Sequence, residues 1–207
     1  TVCLPFTGFG TTFGDFDLDG DEDIVIANGR VKRPDGFRLS ANGDFWEPYR
    51  QQGQILLNDG TARFREVTGG RDGFTSMACV SRGLAVGDID SDGDLDLLVN
   101  RVGQRAAVFL NEAKRQGHWL RVRAIDSRYG RRDAYGAMVT AVAGKQRWVR
   151  YLQPGTSYLS SNDPRLHFGL GGTEQLERIE VTWPDGTRTS VSATGIDREY
   201  VIERKPD

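Results

Sequence analysis

One acidic motif occurs twice in this chain and restricts its fold more than any other feature. Residues 15–23 read Asp-Phe-Asp-Leu-Asp-Gly-Asp-Glu-Asp, and residues 88–96 read Asp-Ile-Asp-Ser-Asp-Gly-Asp-Leu-Asp. Each copy places carboxylates at relative positions 1, 3, 5, 7 and 9, with glycine at position 6. Five carboxylates at such short separations repel one another unless a cation lies between them. The motif therefore predicts two loops that each fold around a metal ion.

Calcium is the ion that this pattern favours, because it accepts about six to eight oxygen ligands in a flexible geometry. The glycine allows a sharp turn, so that side chains from both halves of the loop can face one centre. We expect side-chain ligands at positions 1, 3, 5 and 9 and a backbone carbonyl ligand at position 7. The alternative is an acidic, solvated turn without a fixed metal. The candidate metal-binding residues are Asp15, Asp17, Asp19, Asp21 and Asp23 in the first loop and Asp88, Asp90, Asp92, Asp94 and Asp96 in the second.

The residues that follow each loop do not fit a helix–loop–helix calcium motif. That motif needs a glutamate at position 12 and a helix after it, whereas position 12 here is Ile26 or Val99. The runs at 24–28 and 97–100 are apolar and partly β-branched, which is typical of buried strands. Each loop therefore leads into a strand, and the two copies indicate a repeated β unit.

Other segments also have the pattern of strands. Runs at 54–58 and 62–67 flank an Asp-Gly pair, which is a strong hairpin signal. In residues 119–124 and 179–183, polar and apolar side chains alternate as in half-buried antiparallel strands. No convincing amphipathic helix is visible. Residues 29–53 form a long irregular insertion with several aromatic residues, which is either a functional loop or a segment that its aromatics pin to the surface.

Composition and charge argue against several classes of protein. No apolar run approaches the ~18–20 residues of a membrane-spanning helix, and no signal-peptide pattern is present, although one could have been removed. Residues 1–100 carry a net charge of −8 and residues 101–207 a net charge of +6. Arginines in the basic half alternate with apolar residues, which favours a solvated strand face over a nucleic-acid interface. Cys3 and Cys79 leave open a disulfide bond or two buried free thiols.

Two stretches of the chain resemble known families. The acidic units resemble FG-GAP repeats of the VCBS type, the blades of integrin α-like β-propellers, and residues 118–203 resemble an ASPIC/UnbV domain. The order of the two parts resembles that of the cartilage acidic protein 1-like family. The segments that carry the second resemblance are 118–122 (His-Trp-Leu-Arg-Val), 135–137 (Tyr-Gly-Ala), 155–163 (Gly-Thr-Ser-Tyr-Leu-Ser-Ser-Asn-Asp), 166–171 (Leu-His-Phe-Gly-Leu-Gly) and 181–186 (Val-Thr-Trp-Pro-Asp-Gly).

The resemblance implies an all-β fold in two parts. Residues 1–112 would form FG-GAP/VCBS repeats, about two calcium-loop blades of a partial β-propeller. Residues 113–117 would be a linker, and residues 118–205 would form the ASPIC/UnbV domain, a small antiparallel β-sandwich-like unit. Propellers close with about four to eight blades, so we expect further propeller blades or other copies of the chain to cover the open edges.

No active site can be identified from the sequence. His118 and His167 stand alone in strand-like runs, which is more typical of structural residues. The polar stretch 157–163 lacks the base and the oxyanion hole that a serine nucleophile needs, so we expect its hydrogen bonds to fix a loop. Together with the resemblance, this predicts a secreted or cell-surface module that binds calcium, contacts a protein or glycan and is not catalytic. The alternatives are an enzyme or accessory protein of a biosynthetic pathway, or a structural subunit of a larger extracellular assembly.

Overall fold

The computed structural model describes residues 4–38, 43–68 and 73–205, and strands dominate these ranges. Within them there is no α-helix, only two single-turn 3-10 helices, η1 (Glu47–Tyr49) and η2 (Ser127–Tyr129). The described strands form several mainly antiparallel sheets and no closed barrel. The all-β class predicted from the sequence is therefore confirmed.

The first acidic loop joins the first two strands of a four-stranded sheet, the first blade. β1 (Gly8–Gly14) pairs with β2 (Asp23–Asn28), so that Gly14 lies opposite Asp23 at the base of the loop. The sheet continues through β4 (Gln54–Asn58) to β5 (Phe64–Glu66). The predicted Asp-Gly hairpin is the connection between β4 and β5.

The second acidic loop has the same place in a three-stranded sheet, the second blade. Its strands are β7 (Ser81–Gly87), β8 (Asp96–Arg101) and β9 (Ala107–Phe109), in that order. Gly87 lies opposite Asp96 at the base of the loop. The repeat seen in the sequence is therefore a repeat of a strand–loop–strand unit.

The two blades pack against each other through β1 and β7. Their approach is so close that a Cβ on Gly10 would lie 2.5 Å from the Cβ of Leu84. Each acidic loop also contributes one apolar side chain, Phe16 or Leu95, to the core that the blades share. This burial, worth about 1.5–3 kcal/mol for each large side chain, fixes both loops to the core. The buried members of the core are Phe16, Val25, Ala27, Phe74, Leu84, Leu95, Leu97 and Val99.

A small two-stranded sheet lies beside the blades. It consists of β3 (Gln51–Gln52) and β6 (Ala78–Cys79). Cys79 is a buried, free thiol. Cys3, the other half of the disulfide considered from the sequence, lies outside the described residues.

The C-terminal part is a sandwich of two sheets. In the first sheet, β10 (His118–Asp126) pairs antiparallel with β11 (Arg132–Asp133) and β14 (Leu166–Gly171) along one edge. β17 (Arg198–Arg204) takes the remaining edge of β10 as a parallel partner. The second sheet runs in the order β13-β12-β15-β16, and its strands are β12 (Met138–Ala143), β13 (Gln146–Tyr151), β15 (Arg178–Thr182) and β16 (Arg188–Ser192).

The two sheets of the sandwich enclose one apolar core. Phe168 and Trp183 are its largest side chains and are almost fully buried. Leu120, Val139 and Ile179 come from three different strands and are inaccessible to solvent. The alternation of polar and apolar residues in β15 produces the half-buried strand that it predicts. The same prediction is wrong for β10, which is buried on both faces and has β17 as a parallel partner.

Candidate metal centre

The two acidic loops follow the same backbone course. The residue at position 4 is left-handed in both, with φ of 62° at Leu18 and 64° at Ser91. The glycine at position 6 has φ of 104° at Gly20 and 102° at Gly93. A residue with a side chain would be strained at position 6, which explains why both copies carry glycine there.

The aspartate at position 9 ties each loop to its surroundings. Asp23 accepts hydrogen bonds from the backbone amides of Phe16 and Asn58, both at 2.9 Å. Asp96 accepts equivalent bonds from Ile89 at 2.7 Å and from the amide of residue 111 at 2.9 Å. Position 9 thus closes the loop through backbone amides, a role that the sequence prediction of a metal ligand did not include.

Each loop gathers three carboxylates around one centre, with ligand oxygens within 4.8 Å of one another. The aspartates at positions 1 and 3 belong to the carboxylate cluster in both loops. Position 5 joins them in the first loop, and position 9 joins them in the second. The first cluster is Asp15, Asp17 and Asp19, and the second is Asp88, Asp90 and Asp96. The other predicted ligands, Asp21, Asp23, Asp92 and Asp94, lie outside these two clusters.

The first cluster is buried without a cationic side chain beside it. Burial, together with the carboxylates of Asp19, Asp23 and Asp17, raises the pKa of Asp15 to about 7, although the hydrogen bond from the Gly20 amide opposes this effect. Burial and the Asp19 carboxylate also raise the pKa of Asp17. Burial raises the pKa of Asp23 to about 6, although two backbone amides oppose this effect. Within the described chain, no Lys or Arg forms an ion pair with these carboxylates, so a bound cation would stabilise their charged form.

One carboxylate oxygen in each cluster is buried and has no hydrogen-bond partner. These atoms are Oδ1 of Asp17 and Oδ1 of Asp88. Buried polar atoms nearly always have a partner, and leaving one without a partner costs roughly 1–3 kcal/mol. A cation at the centre of each cluster would be that partner. The all-oxygen donor set suits calcium, so the residues fit the ion that the motif predicts.

The C-terminal sandwich packs directly onto the first loop. β14 passes so close that a Cβ on Gly169 would overlap Oδ2 of Asp15, an atom that accepts a hydrogen bond from Gly20 at 2.8 Å. A Cβ on Gly171 would lie 2.6 Å from the carbonyl oxygen of Asp19. The two glycines of β14 therefore allow the sandwich to cover the first cluster.

The sandwich covers the second loop as well. The indole of Trp119 lies against Gly93, leaving no room for a side chain there. Arg121 is 6% exposed and places Nη1 2.5 Å from Oδ2 of Asp88, while its Nε donates to Glu199 at 2.9 Å. This buried guanidinium joins the sandwich to the first position of the second acidic loop.

The segment between β9 and β10 touches both loops. Asn111 donates its side-chain amide to the carbonyl of Phe16 at 2.7 Å. Gln116 donates its backbone amide to the Asp17 carbonyl at 2.9 Å and its side-chain amide to the Asp17 carboxylate at 2.6 Å. Arg115 reaches the second loop. The sequence predicts only a linker for residues 113–117, because polar composition does not reveal which distant groups a segment contacts.

A cavity of about 550 Å³ lies where β1, β7, β13 and β14 meet. The guanidinium groups that line it are in ion pairs with carboxylates: Arg121 with Asp88, Arg150 with Glu22 at 3.3 Å, and Arg165 with Asp163. His167 also lines the cavity. Its Nε2–H donates to the carbonyl of Gly93 at 2.8 Å, and its Nδ1 is buried without a partner. Two of these ion pairs, Arg121–Asp88 and Arg150–Glu22, thus join the sandwich to the acidic loops of the blades.

The buried imidazole of His167 predicts that acid destabilises the fold. Burial is the main cause that lowers the pKa of His167 to about 4; the hydrogen bond to Gly93 opposes the decrease, and the guanidinium groups of Arg150 and Arg121 contribute to it. Between the unfolded pKa of about 6.5 and the folded value, the unfolded chain binds a proton that the folded chain does not. The free energy of unfolding therefore falls as the pH falls through this window.

The measurement is urea unfolding of the wild type and His167→Gln at pH 7 and pH 5. Glutamine can still donate to the Gly93 carbonyl but does not titrate. Relative to the variant, the wild type should lose about 2 kcal/mol more stability on acidification. Carboxylates shared by both proteins cancel in this comparison. Parallel losses in the two proteins would show that His167 is not the titrating group.

The remaining sequence candidates have structural contacts. His118 pairs with Asp197 at 2.8 Å. In the polar stretch 157–163, Asn162 accepts a hydrogen bond from the Val86 amide at 3.1 Å, and the Asp163 amide donates to the Val86 carbonyl at 3.0 Å. The stretch therefore fixes a loop along β7, as the sequence analysis expected.

The aromatic residues of the insertion pack on one another. The rings of Phe45 and Trp46 are edge-to-face at 5.0 Å, and Arg33 stacks over Phe45 at 5.3 Å and over Tyr49 at 5.8 Å. Trp46 lies against Gly103 of the second blade. These contacts favour the interpretation that the aromatics pin the insertion to the surface.

Comparisons with known proteins agree with the two parts of the fold. The family described as FG-GAP-like repeat matches residues 15–99, and the family described as ASPIC and UnbV matches residues 128–207. Cartilage acidic protein 1 of Mus musculus and of Homo sapiens are each 31% identical over 195 residues, which cover 90% of this chain and 27% of each relative. The Xenopus tropicalis protein of the same name is 30% identical over 178 residues, 83% of this chain and 25% of the relative.

The chain thus spans about a quarter of the length of these curated relatives. Among the described residues, no helix is long and apolar enough to cross a membrane. One family match begins at the first acidic loop and ends within the second blade, and the other covers the sandwich from residue 128 onward. The chain therefore combines a match to the FG-GAP-like repeat family with a match to the ASPIC and UnbV family, and it is homologous to cartilage acidic protein 1.

Proposed function

We propose that this chain is an extracellular, calcium-binding interaction module that contacts a protein or glycan and is not catalytic. Calcium would bind in both acidic loops. The observation that carries the proposal is that each loop belongs to a blade but is covered by the sandwich, through Gly169 over Asp15 and Arg121 against Asp88. An ion at either centre would stabilise the blade and the surface on which the sandwich rests.

An extracellular setting suits sites of this kind. Extracellular modules typically bind calcium with Kd of about 10⁻⁴–10⁻³ M, so such sites would be filled where calcium is abundant. FG-GAP-like repeats and homology to cartilage acidic protein 1 support the same setting. The unpartnered oxygens of Asp17 and Asp88 support the ion itself.

The second blade also supports the expectation of further blades or other copies of the chain. Leu98 and Val108 are register partners, so their side chains share one face of the sheet, and they are 45% and 52% exposed. Leu110, two residues after Val108, is 50% exposed. An apolar face of this kind is typical of a surface that another sheet covers.

The test is binding to a panel of extracellular matrix proteins and glycans in calcium and in chelator. We expect binding to at least one partner in calcium, and loss of that binding in chelator and in the double variant Asp17→Ala/Asp90→Ala. The matched control is Asp35→Ala/Glu174→Ala, which removes the same charge at two exposed sites outside both loops and should bind like the wild type. Binding that persists unchanged in chelator and in the loop variant would contradict a calcium-dependent module.

A further inference from the structure

The two acidic loops share the same pattern of five aspartates and a glycine, but their aspartates have different charged neighbours. No described Lys or Arg pairs with a carboxylate at positions 1, 3, 5, 7 or 9 of the first loop. The second loop has two such partners, Arg115 and Arg121. The difference is absent from the motif itself and comes from residues outside it.

Arg115 binds two carboxylates of the second loop together. Its Nη2 lies 2.9 Å from Oδ2 of Asp92 and 2.6 Å from the Asp92 carbonyl, and its Nε lies 2.9 Å from Oδ2 and 3.0 Å from Oδ1 of Asp94. Asp92 is at position 5 of the motif. The corresponding residue of the first loop, Asp19, belongs to the carboxylate cluster, whereas Asp92 does not belong to the second cluster.

The first loop receives a neutral group from the same segment. Gln116, the next residue, donates its side-chain amide to Asp17 at 2.6 Å. The linker therefore places an amide on one loop and a guanidinium on the other. The second loop still has a buried carboxylate oxygen that a cation could contact, because Asp88 is 3% exposed and its Oδ1 has no hydrogen-bond partner.

We propose that Arg115 lowers the calcium affinity of the second loop and thereby makes it the weaker of two unequal sites. The inference rests on the proposed calcium binding and goes beyond it by assigning an affinity to each loop and part of the difference to Arg115. Arg121, paired with Asp88, adds a second positive charge at the same loop. Arg115 acts in two ways. It holds the position-5 carboxylate that the first loop uses in its cluster, and its positive charge repels a divalent cation at the same centre. Over a range of calcium concentrations, the first loop would stay filled while the second empties.

The test is calorimetric titration of the metal-free chain with calcium. The wild type should bind two ions in separate phases. Asp17→Asn should remove the tighter phase and Asp90→Asn the weaker phase, which assigns each phase to a loop. Arg115→Gln should then tighten the weaker phase about tenfold, the size expected for removing one charge near a divalent ion in water, and leave the tighter phase unchanged.

The matched control is Lys114→Gln, which removes the same charge at the adjacent exposed position. Among the described contacts, Lys114 forms no ion pair with either loop, so both phases should match the wild type. Since the side chain of Arg115 is 42% exposed, its replacement should leave the circular dichroism spectrum unchanged.

Three results would overturn the inference. Equal affinities of the two loops in the wild type would remove its basis. A weaker phase that responds equally to Arg115→Gln and Lys114→Gln would show only a general charge effect. Absence of calcium binding in every protein would overturn the proposed calcium function as well, which distinguishes that failure from the first two.

Discussion

Replacing Gly169 with alanine should lower the free energy of unfolding by about 3 kcal/mol, at the upper end of the usual cost of overpacking. The added Cβ would overlap Oδ2 of Asp15, a carboxylate that is 1% exposed. Asp15 cannot move away freely, because its two oxygens accept hydrogen bonds from the amides of Asp19 and Gly20. The substitution must therefore separate β14 from the loop or distort the loop. Chemical unfolding in calcium measures the loss.

Gly172→Ala is the matched control, because nothing lies within 4 Å of a Cβ at Gly172. It should change the free energy of unfolding by much less than Gly169→Ala. Gly169→Ala should also weaken calcium binding at the first loop, since Asp15 belongs to that cluster. Equal stabilities of the two alanine variants would contradict the close contact between Gly169 of the sandwich and Asp15 of the first loop.

The repeated loops could be predicted from the sequence because their determinants are local. Nine consecutive residues contain the carboxylates and the glycine, and the following apolar run specifies the strand that begins at Asp23 or Asp96. The left-handed conformation of Gly20 and Gly93 follows from the same short segment. Strand β15 was also predictable, because its two-residue alternation reflects burial on one face. The burial of β10 on both faces was not, because it depends on the loops against which Trp119 and Arg121 pack.

The surroundings of the loops could not be predicted in this way. Gly169 lies 154 positions from Asp15 along the chain, and Arg121 lies 33 positions from Asp88. A glycine in a strand or an arginine among apolar residues does not by itself identify the group that it will meet. The hydrogen bonds of position 9 to backbone amides could not be predicted for a related reason. The motif shows that Asp23 carries a carboxylate, but only the fold shows that the amide of Asn58 reaches it.

Withdrawing calcium should lower the free energy of unfolding by up to about 5 kcal/mol. An ion that binds only the folded state contributes RT ln(1 + [L]/Kd), about 2.7 kcal/mol at a hundredfold excess over Kd, and the chain offers two loops. For a protein of this length, that corresponds to a decrease in melting temperature of roughly 10–20 °C. Melting curves in saturating calcium and in chelator measure it, with light scattering to detect a change in particle mass.

Measurements with magnesium and with the loop variants test whether the change in melting temperature is specific to calcium in these two loops. Magnesium should restore little of the stability, because it prefers a tight octahedral shell with several waters. Asp17→Ala/Asp90→Ala should melt at the same temperature in calcium and in chelator, since it lacks a ligand in each loop. Because the sandwich rests on both loops through Gly169 and Arg121, blades and sandwich should lose stability together. Identical melting of the wild type with calcium and with chelator would mean that the two loops are acidic turns, stabilised by backbone amides and arginines alone.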